Sequence, residues 1–408
     1  MKRVVITGMG IISPIGNSLE HVFESLLNEV SGIKIIKGWD EINGLNVNIA
    51  GSCDEFDEKK INRKDRRTMG SMAIMASLAT LDALNLSGLD EKIIQSSDTG
   101  VVMGSTTGSG ANIEQVFSDF SRTKGISLLE GTAFMKIMSH SVAANVSAML
   151  KTRGRVLSPC CACATSTQAI GEGFEIIKNG YQKVMVCGGA DDLHPSTAAV
   201  FDVLHAASRN YCKNPSATPK PFDIHRDGLV VSEGAGAVIL EEYEHAKNRN
   251  ATILGEIKGY STCCDGEHMT SPQPDGMIRS MKGALKSANC HIRDIDYINA
   301  HATGTLKGDI AEACAIKSLC DDNIPVSGTK GYTGHTLAAS GVMEVIFSIL
   351  MMNHNTIIPT LNLETIDPAC AGIFHVQKKI EKKVNRVMTS NFAFGGINAT
   401  LILQKTTS

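Results

Sequence analysis

Residues 155–190 read RVLSPCCACATSTQAIGEGFEIIKNGYQKVMVCGGA and contain two short apolar runs on either side of a longer, mixed segment. The apolar residues of the middle segment that recur at helical spacing are Ala169, Ile170, Phe174 and Ile177. Such spacing predicts an amphipathic helix, and the Asn179-Gly180 pair supplies its stop. The run at 183–190 is typical of a buried strand that ends in glycines. The stretch therefore predicts a strand, a turn, a helix and a second strand.

The same alternation recurs in both halves of the chain. In the first half, apolar residues at helical spacing within 72–81 precede the strand-like run TGVVMGS at 99–105. In the second half, strand-like runs begin at 253, 296 and 324, and each is followed by a helical segment. The 408 residues also exceed the usual size of one hydrophobic core. We therefore predict an α/β fold of two duplicated halves, 1–250 and 251–408, with parallel sheets and crossover helices.

Composition argues against several classes of protein. The formal net charge of −3 is unlike that of nucleic-acid binders, which are basic overall. The apolar run at 341–352 is shorter than the roughly 20 residues of a membrane span and contains Glu344. Thr7, Gly8 and Gly10 interrupt the N-terminal apolar run, which reads as a strand and not as a secretion signal. We predict a cytoplasmic protein with reduced thiols and no nucleic-acid or membrane partner.

Three cysteines, Cys160, Cys161 and Cys163, lie within four positions. The C-x-x-C spacing suits zinc or a redox couple, but a zinc site needs two more ligands, and a redox couple needs a thioredoxin-like unit. Small free cysteines also pack well, which is the interpretation we favour for Cys160, Cys161 and Cys187. Cys163 follows a turn and opens a helix, where unpaired N–H groups and the helix dipole favour a thiolate. We predict that Cys163 is a nucleophile.

Two histidines occupy turns of the same kind. His301 ends the strand-like run at 296–305, and His335 comes just before the long apolar helix. In a duplicated α/β fold, the turns at the ends of the strands converge on one crevice. The C-terminal segment SNFAFGGINATLIL, at 390–403, adds a turn whose two glycines permit close approach of a ligand to the backbone. The sequence therefore predicts one site that combines a thiol with two imidazoles.

Four segments follow one another along the chain with a distinctive order and spacing. They are CCACATS at 160–166, NAHATGT at 299–305, GTKGYTGH at 328–335 and SNFAFGGINATL at 390–401. They resemble the active-site segments of the β-ketoacyl-[acyl carrier protein] synthases, and the likeness runs nearly end to end. It is strongest to the elongating enzymes, closest to class I. The resemblance implies a thiolase-like fold of two duplicated α/β halves in a five-layered αβαβα arrangement. It also implies a homodimer without metal or cofactor, whose substrates arrive on the phosphopantetheine arm of an acyl carrier protein.

The resemblance also assigns roles to residues. Cys163 falls at the acylated cysteine, and His301 and His335 fall at the two active-site histidines. Lys330 falls at the lysine that supports the second histidine, and we predict that its charge keeps His335 neutral. The backbone N–H groups of Cys163 and Phe394 fall at the oxyanion hole.

Further residues are expected to bind substrate or to support the site. The gate and substrate-binding set is Phe392, Phe394, Thr107, Gly108, Phe201, Thr303 and Thr305. The supporting acidic residues are Asp309, Glu312 and Glu344. The segment GSTTGSGAN at 104–112 lacks the lysine of a phosphate-binding loop, so a turn lining the acyl tunnel is the preferred interpretation. The loop at 213–228 is expected to be an ordered surface excursion.

A basic stretch, KKINRKDRR at 59–67, is either a solvated helix face or a docking patch for an acidic carrier protein. The docking set predicted here is Arg63, Lys64, Arg66, Arg67, Arg122 and Lys124. The chain departs from the family pattern at Leu306, Ala393 and Gly331-Tyr332, and an alanine at 393 would stiffen the gate. Two alternatives stay open, a thiolase acting on coenzyme A esters and a non-catalytic partner subunit of a ketosynthase.

Overall fold

An eleven-stranded mixed sheet runs through the protein. The computed structural model describes residues 1–53, 55–320 and 322–406. The strands of the first half are β1 (Val4–Ile12), β2 (Ile33–Ile35), β3 (Ile49–Gly51), β4 (Thr99–Gly104), β5 (Val156–Leu157), β6 (Val184–Asp191) and β7 (Gly234–Glu242). The strands of the second half are β8 (Gly255–Cys264), β9 (Tyr297–Ala300), β10 (Pro325–Gly328), β11 (Thr356–Ile357), β12 (Phe374–His375), β13 (Ile380–Glu381), β14 (Arg386–Ala393) and β15 (Ile397–Gln404).

Helices connect these strands. Those of the first half are α1 (Leu19–Leu27), α2 (Arg63–Arg66), α3 (Ser71–Ser87), α4 (Glu91–Ile94), α5 (Gly110–Thr123), α6 (Ala133–Ile137), α7 (Ser141–Leu150), α8 (Thr165–Lys178), α9 (Pro195–Val203) and α10 (Tyr243–Asn248). Those of the second half are α11 (Pro274–Ala288), α12 (Leu306–Leu319), α13 (Lys330–Thr333) and α14 (Ser340–His354).

The two halves repeat one pattern of strand pairing. In the first half, β7 lies antiparallel between β1 and β6, and β4 lies parallel between β6 and β5. In the second half, β15 lies antiparallel between β8 and β14, and β9 lies parallel between β14 and β10. A short antiparallel pairing of β1 with β8 joins the halves. The predicted duplicated α/β alternation is therefore confirmed. The expectation of parallel sheets was wrong, because each half also contains antiparallel pairs.

Helices cover and separate the two halves of the sheet. Helix α3 packs on β1 and β7 on one outer side, and α11 packs on β8 and β15 on the other. Between them lie α8, against β4 and β6, and α14, against β14 and α8. The order is helix, sheet, helix, sheet, helix. This arrangement brings the N-terminal ends of the two central helices, and the turns before them, to one place.

Helix α14 is apolar because it lies in the middle layer. Every residue from Ser340 to Met352 is buried. In the part of the chain that the structure describes, Leu337–His354 is the one segment with the length and composition of a membrane span, and 89% of it is buried inside the protein. It is therefore a core helix, as its all-round hydrophobic character predicts.

One expectation about local structure was wrong. The loop at 213–228 is not a surface excursion, because Phe222 packs in the core of the second half. Its Arg226 is buried as well and forms ion pairs with Asp367 at 2.7 Å and with Asp309 at 3.6 Å. The strand predicted at 155–158 is present but short: it is β5, which has two residues, both exposed, at the edge of the sheet.

Candidate active site

Cys163 lies in a single 3₁₀ turn, Ala162–Ala164, between β5 and α8. Its side chain is buried, and Sγ lies 2.9 Å from Nε2 of His335. The preceding Ala162 has a φ of 45°, a left-handed conformation that costs energy for a residue with a Cβ. The turn that presents the thiol is thus held by its surroundings and not by local preference.

The expectation of a resting thiolate at Cys163 was wrong. Burial raises the pKa of Cys163 to about 12, and the nearby positive charge of Lys330 offsets this only in part. The thiol therefore keeps its proton at neutral pH, and attack on a carbonyl requires a base. A neutral imidazole within hydrogen-bond distance of the sulfur meets that need.

His335 is buried in the turn between α13 and α14. Nδ1 lies 2.9 Å from Oγ of Ser340, at the first position of α14. Burial, followed by the charge of Lys330, holds the pKa of His335 well below its usual value. His335 is thus a neutral imidazole, able to accept a proton from Cys163.

His301 follows β9, and its ring lies edge-on to that of His335 at a centroid distance of 5.3 Å. Nδ1 lies 3.0 Å from Nδ2 of Asn391 and 3.2 Å from Nζ of Lys330. Both partners are donors, so Nδ1 accepts and the single proton of the neutral ring sits on Nε2. Burial, Lys330 and His335, in that order, hold the pKa of His301 well below its usual value.

The amide of Asn391 is itself oriented by its neighbours. Nδ2 donates to Oε2 of Glu344 at 2.8 Å, and Oδ1 accepts from the hydroxyl of Thr167. A reversed amide would place its oxygen against the carboxylate of Glu344 and lose that bond. The tautomer of His301 is thus set by a network that begins on α8 and α14.

Among the described residues, the hydrogen bonds of Lys330 go to Glu344 and His301, and none goes to His335. Nζ lies 2.6 Å from Oε1 of Glu344 and donates to the backbone carbonyl of His301. Both charged side chains are buried. The charge of Lys330 nevertheless lowers the pKa of both histidines, as predicted for His335.

The other two predicted acidic residues hold the turn that carries His301. Glu312 accepts the backbone N–H groups of His301 and Ala302, each at 2.7 Å. Asp309 accepts those of Phe222 at 2.7 Å and Gly304 at 3.1 Å. Burial raises the pKa of Glu312 to about 8 and that of Asp309 to about 6. These carboxyl groups fix backbone and do not reach the reacting thiol.

Cys163, His301 and His335 line a cavity of about 300 Å³. The predicted gate and substrate residues Phe201, Thr303, Thr305, Phe392 and Phe394 line it too. Phe392 is buried with its ring edge-on to that of His301, whereas Phe394 is exposed at the mouth and lies 5.8 Å from Phe201 between ring centroids. Thr107 and Gly108 are not part of the lining formed by the described residues.

The thiol and imidazole atoms lie within 4.8 Å of one another, a grouping that could also hold a metal ion. The absence of metal and cofactor stays a prediction. Nδ1 of His301 is not free to bind a metal, because it accepts from Asn391 and Lys330.

Comparisons with known proteins agree with this geometry. The models of the β-ketoacyl synthase N-terminal and C-terminal domains match residues 1–246 and 254–364. The 3-oxoacyl-[acyl-carrier-protein] synthase 1 of Haemophilus influenzae is 40% identical over 408 residues, which cover 99% of each chain. A β-ketoacyl synthase crystal structure from Burkholderia phymatum superposes with a TM-score of 0.96 at 39% identity, covering 100% of both chains. The chain belongs to the β-ketoacyl synthase family.

The thiolase-like, five-layered fold is thereby confirmed, as is the acyltransferase class of this ketosynthase. A second similar structure is a ketosynthase from a type II polyketide system in complex with its acyl carrier protein. It has a TM-score of 0.91 and 27% identity, and covers 100% of both chains.

Sequence reasoning missed several residues of the ketosynthase site. Asn391 lies inside the quoted segment at 390–401, yet nothing in that segment signals its contact with His301. Thr167 was missed for the same reason, since its contact with Asn391 joins distant segments, and Ser340 was missed although it lies only five residues after His335. Cys160, expected to be buried, is exposed, with Sγ 3.1 Å from the carbonyl oxygen of Thr106. Leu306 and Ala393, two departures from the family pattern, both line the cavity.

The predicted docking residues of the ketosynthase lie on its surface. Arg63, Lys64 and Arg67 are exposed on and just after α2, whereas Arg66 is partly covered by an ion pair with Glu58 at 3.1 Å. Arg122 pairs with Asp119 at 2.9 Å, and Lys124 caps the C-terminus of α5. These ion pairs lie within the chain and do not test binding of a carrier protein, so the docking role stays a prediction.

Proposed function

We propose that this ketosynthase is a 3-oxoacyl-[acyl carrier protein] synthase that lengthens an acyl chain by two carbons in the synthesis of fatty acids or related lipids. One observation carries the proposal. The buried sulfur of Cys163 lies 2.9 Å from Nε2 of a neutral histidine, at the base of a cavity that a second neutral histidine shares. The first half, 1–250, supplies the nucleophile, and the second half, 251–408, supplies both histidines.

The first step transfers an acyl group to Cys163. The thiol attacks the thioester carbonyl carbon while its proton moves to Nε2 of His335. The bond from that carbon to the carrier sulfur breaks, and the departing thiolate takes the proton from His335. The backbone N–H groups of Cys163 and Phe394 would donate to the oxyanion that forms in between.

The second step condenses the acyl group with a malonyl thioester. The bond to the carboxylate breaks, carbon dioxide leaves, and the electron pair moves onto the thioester oxygen as an enolate. Nε2–H of His301 is available to donate to that oxygen, because Nδ1 already accepts from two donors. The enolate carbon then attacks the acyl carbonyl carbon, a carbon–carbon bond forms, and the bond from that carbon to the sulfur of Cys163 breaks. The sulfur leaves as a thiolate and takes up one proton from solvent, which restores the resting thiol.

Intact mass measurement tests the whole sequence. Incubation with a medium-chain acyl carrier protein should add one acyl group that maps to Cys163, and malonyl carrier protein should discharge it as a chain two carbons longer. No adduct at any of several chain lengths would contradict the proposal and favour a non-catalytic partner subunit. Discharge by a coenzyme A ester alone would favour a thiolase.

The acyl carrier protein is the partner that we propose for the basic residues of α2. Reversing Lys64 and Arg67 to glutamate should raise KM for the carrier-linked donor by about 10-fold, because it places like charges against an acidic carrier. KM for a small acyl thioester should not change. The matched control is the same charge reversal at Lys282 and Lys286, which are exposed on α11. An equal effect of both pairs, or an effect on the small donor, would contradict docking at this surface.

A second copy of the chain is the other partner that we propose, with the dimer located in the cytoplasm. The strand β5 leaves the edge of the sheet open, with Val156 44% and Leu157 40% exposed. The rings of Phe117 and Phe134 on α5 and α6 are 63% and 70% exposed. Light scattering should give a molar mass of twice the 43.5 kDa of one chain. Replacing both residues of β5 with aspartate should lower the measured mass toward 43.5 kDa. A monomeric native protein would contradict the dimer.

A further inference from the structure

Asp191 is a buried carboxylate with no part in the chemistry proposed above. It is the last residue of β6 and is only 3% exposed. Oδ2 accepts the backbone N–H of Ala338 at 2.8 Å, and Oδ1 accepts the backbone N–H and the hydroxyl of Thr106, each at 2.9 Å. Among the described residues, no lysine, arginine or histidine forms an ion pair with it. A buried carboxylate without a cation is costly, so hydrogen bonds alone keep this one in place.

One of these bonds anchors the turn that follows His335. Ala338 belongs to the 3₁₀ turn Leu337–Ala339, in which Leu337 has a φ of 49°. Immediately after it, Ser340 contacts Nδ1 of His335 at 2.9 Å. A turn with a left-handed leucine needs an external tether to keep its shape, and the carboxylate of Asp191 supplies one.

The other bonds anchor the loop beside the nucleophile. The carbonyl oxygen of Thr106 lies 3.1 Å from the sulfur of Cys160, at the start of the segment that carries Cys163. A Cβ at Gly104, the end of the strand before Thr106, would lie 2.0 Å from the carbonyl oxygen of Pro159, so the two segments are in direct contact. Asp191 thus joins the segment that carries the thiol to the segment that carries its base.

We propose that Asp191 is a positioning residue that holds Cys163 and His335 within proton-transfer distance of each other by tying the Thr106 loop to the turn after His335. The inference rests on the proposed function, because it concerns the acyl transfer step. Misplacing a reacting pair by about 1 Å lowers a rate by about 100-fold. The ionised carboxylate is the form that accepts all three donors at once.

Several charged groups lie near Asp191 and near the thiol of Cys163, and they affect the pKa values of both. Burial raises the pKa of Asp191 to about 7, and the charge of Asp192 adds to that effect. The charge of Asp191 raises the pKa of both Cys160 and Cys163, whereas Lys330 lowers and Glu344 raises the pKa of Cys163. When pH falls through about 7, Asp191 gains a proton and one of its oxygens becomes a donor facing donors. The transfer rate should fall over that range.

The test measures acylation of Cys163 by a small acyl thioester, followed by intact mass between pH 5.5 and 8.5. Asp191→Asn should lower kcat by about 100-fold with KM unchanged, and the fall in rate near pH 7 should disappear. Thr106→Val, which keeps the charge and removes one bond, should lower kcat less, and Thr106→Ser should restore it. The matched control is Glu233→Gln, which changes a carboxylate that accepts the backbone N–H groups of Cys53 and Leu193 instead. It should behave like the wild type.

The outcomes separate this inference from the function on which it rests. A wild-type protein that is never acylated would overturn both. An acylated wild type with an Asp191→Asn variant of equal kcat, or with an unchanged pH profile, would overturn the inference alone. If Asp191→Asn fails to fold, equal rates for Thr106→Val and Thr106→Ser would overturn it in the same way.

Discussion

Replacing Cys163 with alanine is expected to abolish acyl transfer, with a loss of about 10⁴-fold or more. The sulfur is the atom 2.9 Å from the base, and no other thiol lines the cavity formed by the described residues. The measurement is intact mass after incubation with acyl carrier protein, followed by peptide mapping of any adduct. Decarboxylation of malonyl carrier protein should persist, because Nε2–H of His301, which donates to the enolate oxygen, remains.

The neighbouring cysteines provide matched controls for this prediction. Cys160→Ala and Cys161→Ala remove a thiol from the same segment, and neither residue lines the cavity. Both variants should still form the adduct at Cys163. Cys161→Ala should do so at a rate near that of the wild type, whereas Cys160→Ala also removes the contact with the carbonyl oxygen of Thr106 and should be slower. An acyl group that maps to Cys160 or Cys161 in the Cys163→Ala protein would contradict the assignment of the nucleophile.

The protonation state of Cys163 at rest was mispredicted because burial has a larger effect on its pKa than the helix N-terminus has. A helix N-terminus stabilises a nearby anion by about 0.3–1 kcal/mol, and by about 2 kcal/mol in favourable buried geometries. Full burial shifts a pKa by as much as about 3–5 units, and each unit corresponds to about 1.36 kcal/mol. The position of Cys163 before α8 is visible in the sequence, but its depth is not. Desolvation is the larger effect, so the thiol is protonated at rest.

The hydrogen-bond partners of Lys330 could not be predicted from the sequence, for a different physical reason. Lys330 and His335 share one short segment, which suggests a local contact. The register of the sheet decides otherwise, because β10 lies parallel to β9 with Gly328 opposite Ala300. The residues that follow these two positions, Lys330 and His301, are therefore neighbours, although they are 29 positions apart in the chain.

Most of the fold, by contrast, could be predicted from local patterns. Alternation of strand and helix is encoded residue by residue, and the long helix α14 is apolar because it is buried on all sides. The loop at 213–228 could not be placed in this way. Its turn-forming residues are typical of a surface, and only the carboxylates of Asp309 and Asp367, far along the chain, allow Arg226 to be buried.

Replacing Lys330 with methionine is expected to separate the two chemical steps. Lys330 donates toward Nδ1 of His301, so its loss weakens the constraint that keeps the proton on Nε2. Decarboxylation of malonyl carrier protein should fall by about 100-fold, as when one donor to an oxyanion is removed. The pKa of His335 should rise toward its usual value, since the positive charge that lowers it is gone. The acid limb of acyl transfer should therefore move to higher pH.

The same change should destabilise the protein, because it leaves Glu344 buried without its cation. Breaking a buried ion pair costs about 3–5 kcal/mol in the free energy of unfolding. The double variant Lys330→Met with Glu344→Gln keeps the site neutral and provides the control. It should recover most of the lost stability in thermal unfolding, yet retain the slow decarboxylation and the shifted acid limb. If the double variant also regained wild-type decarboxylation and pH dependence, Lys330 would act through stability alone and not through the histidines.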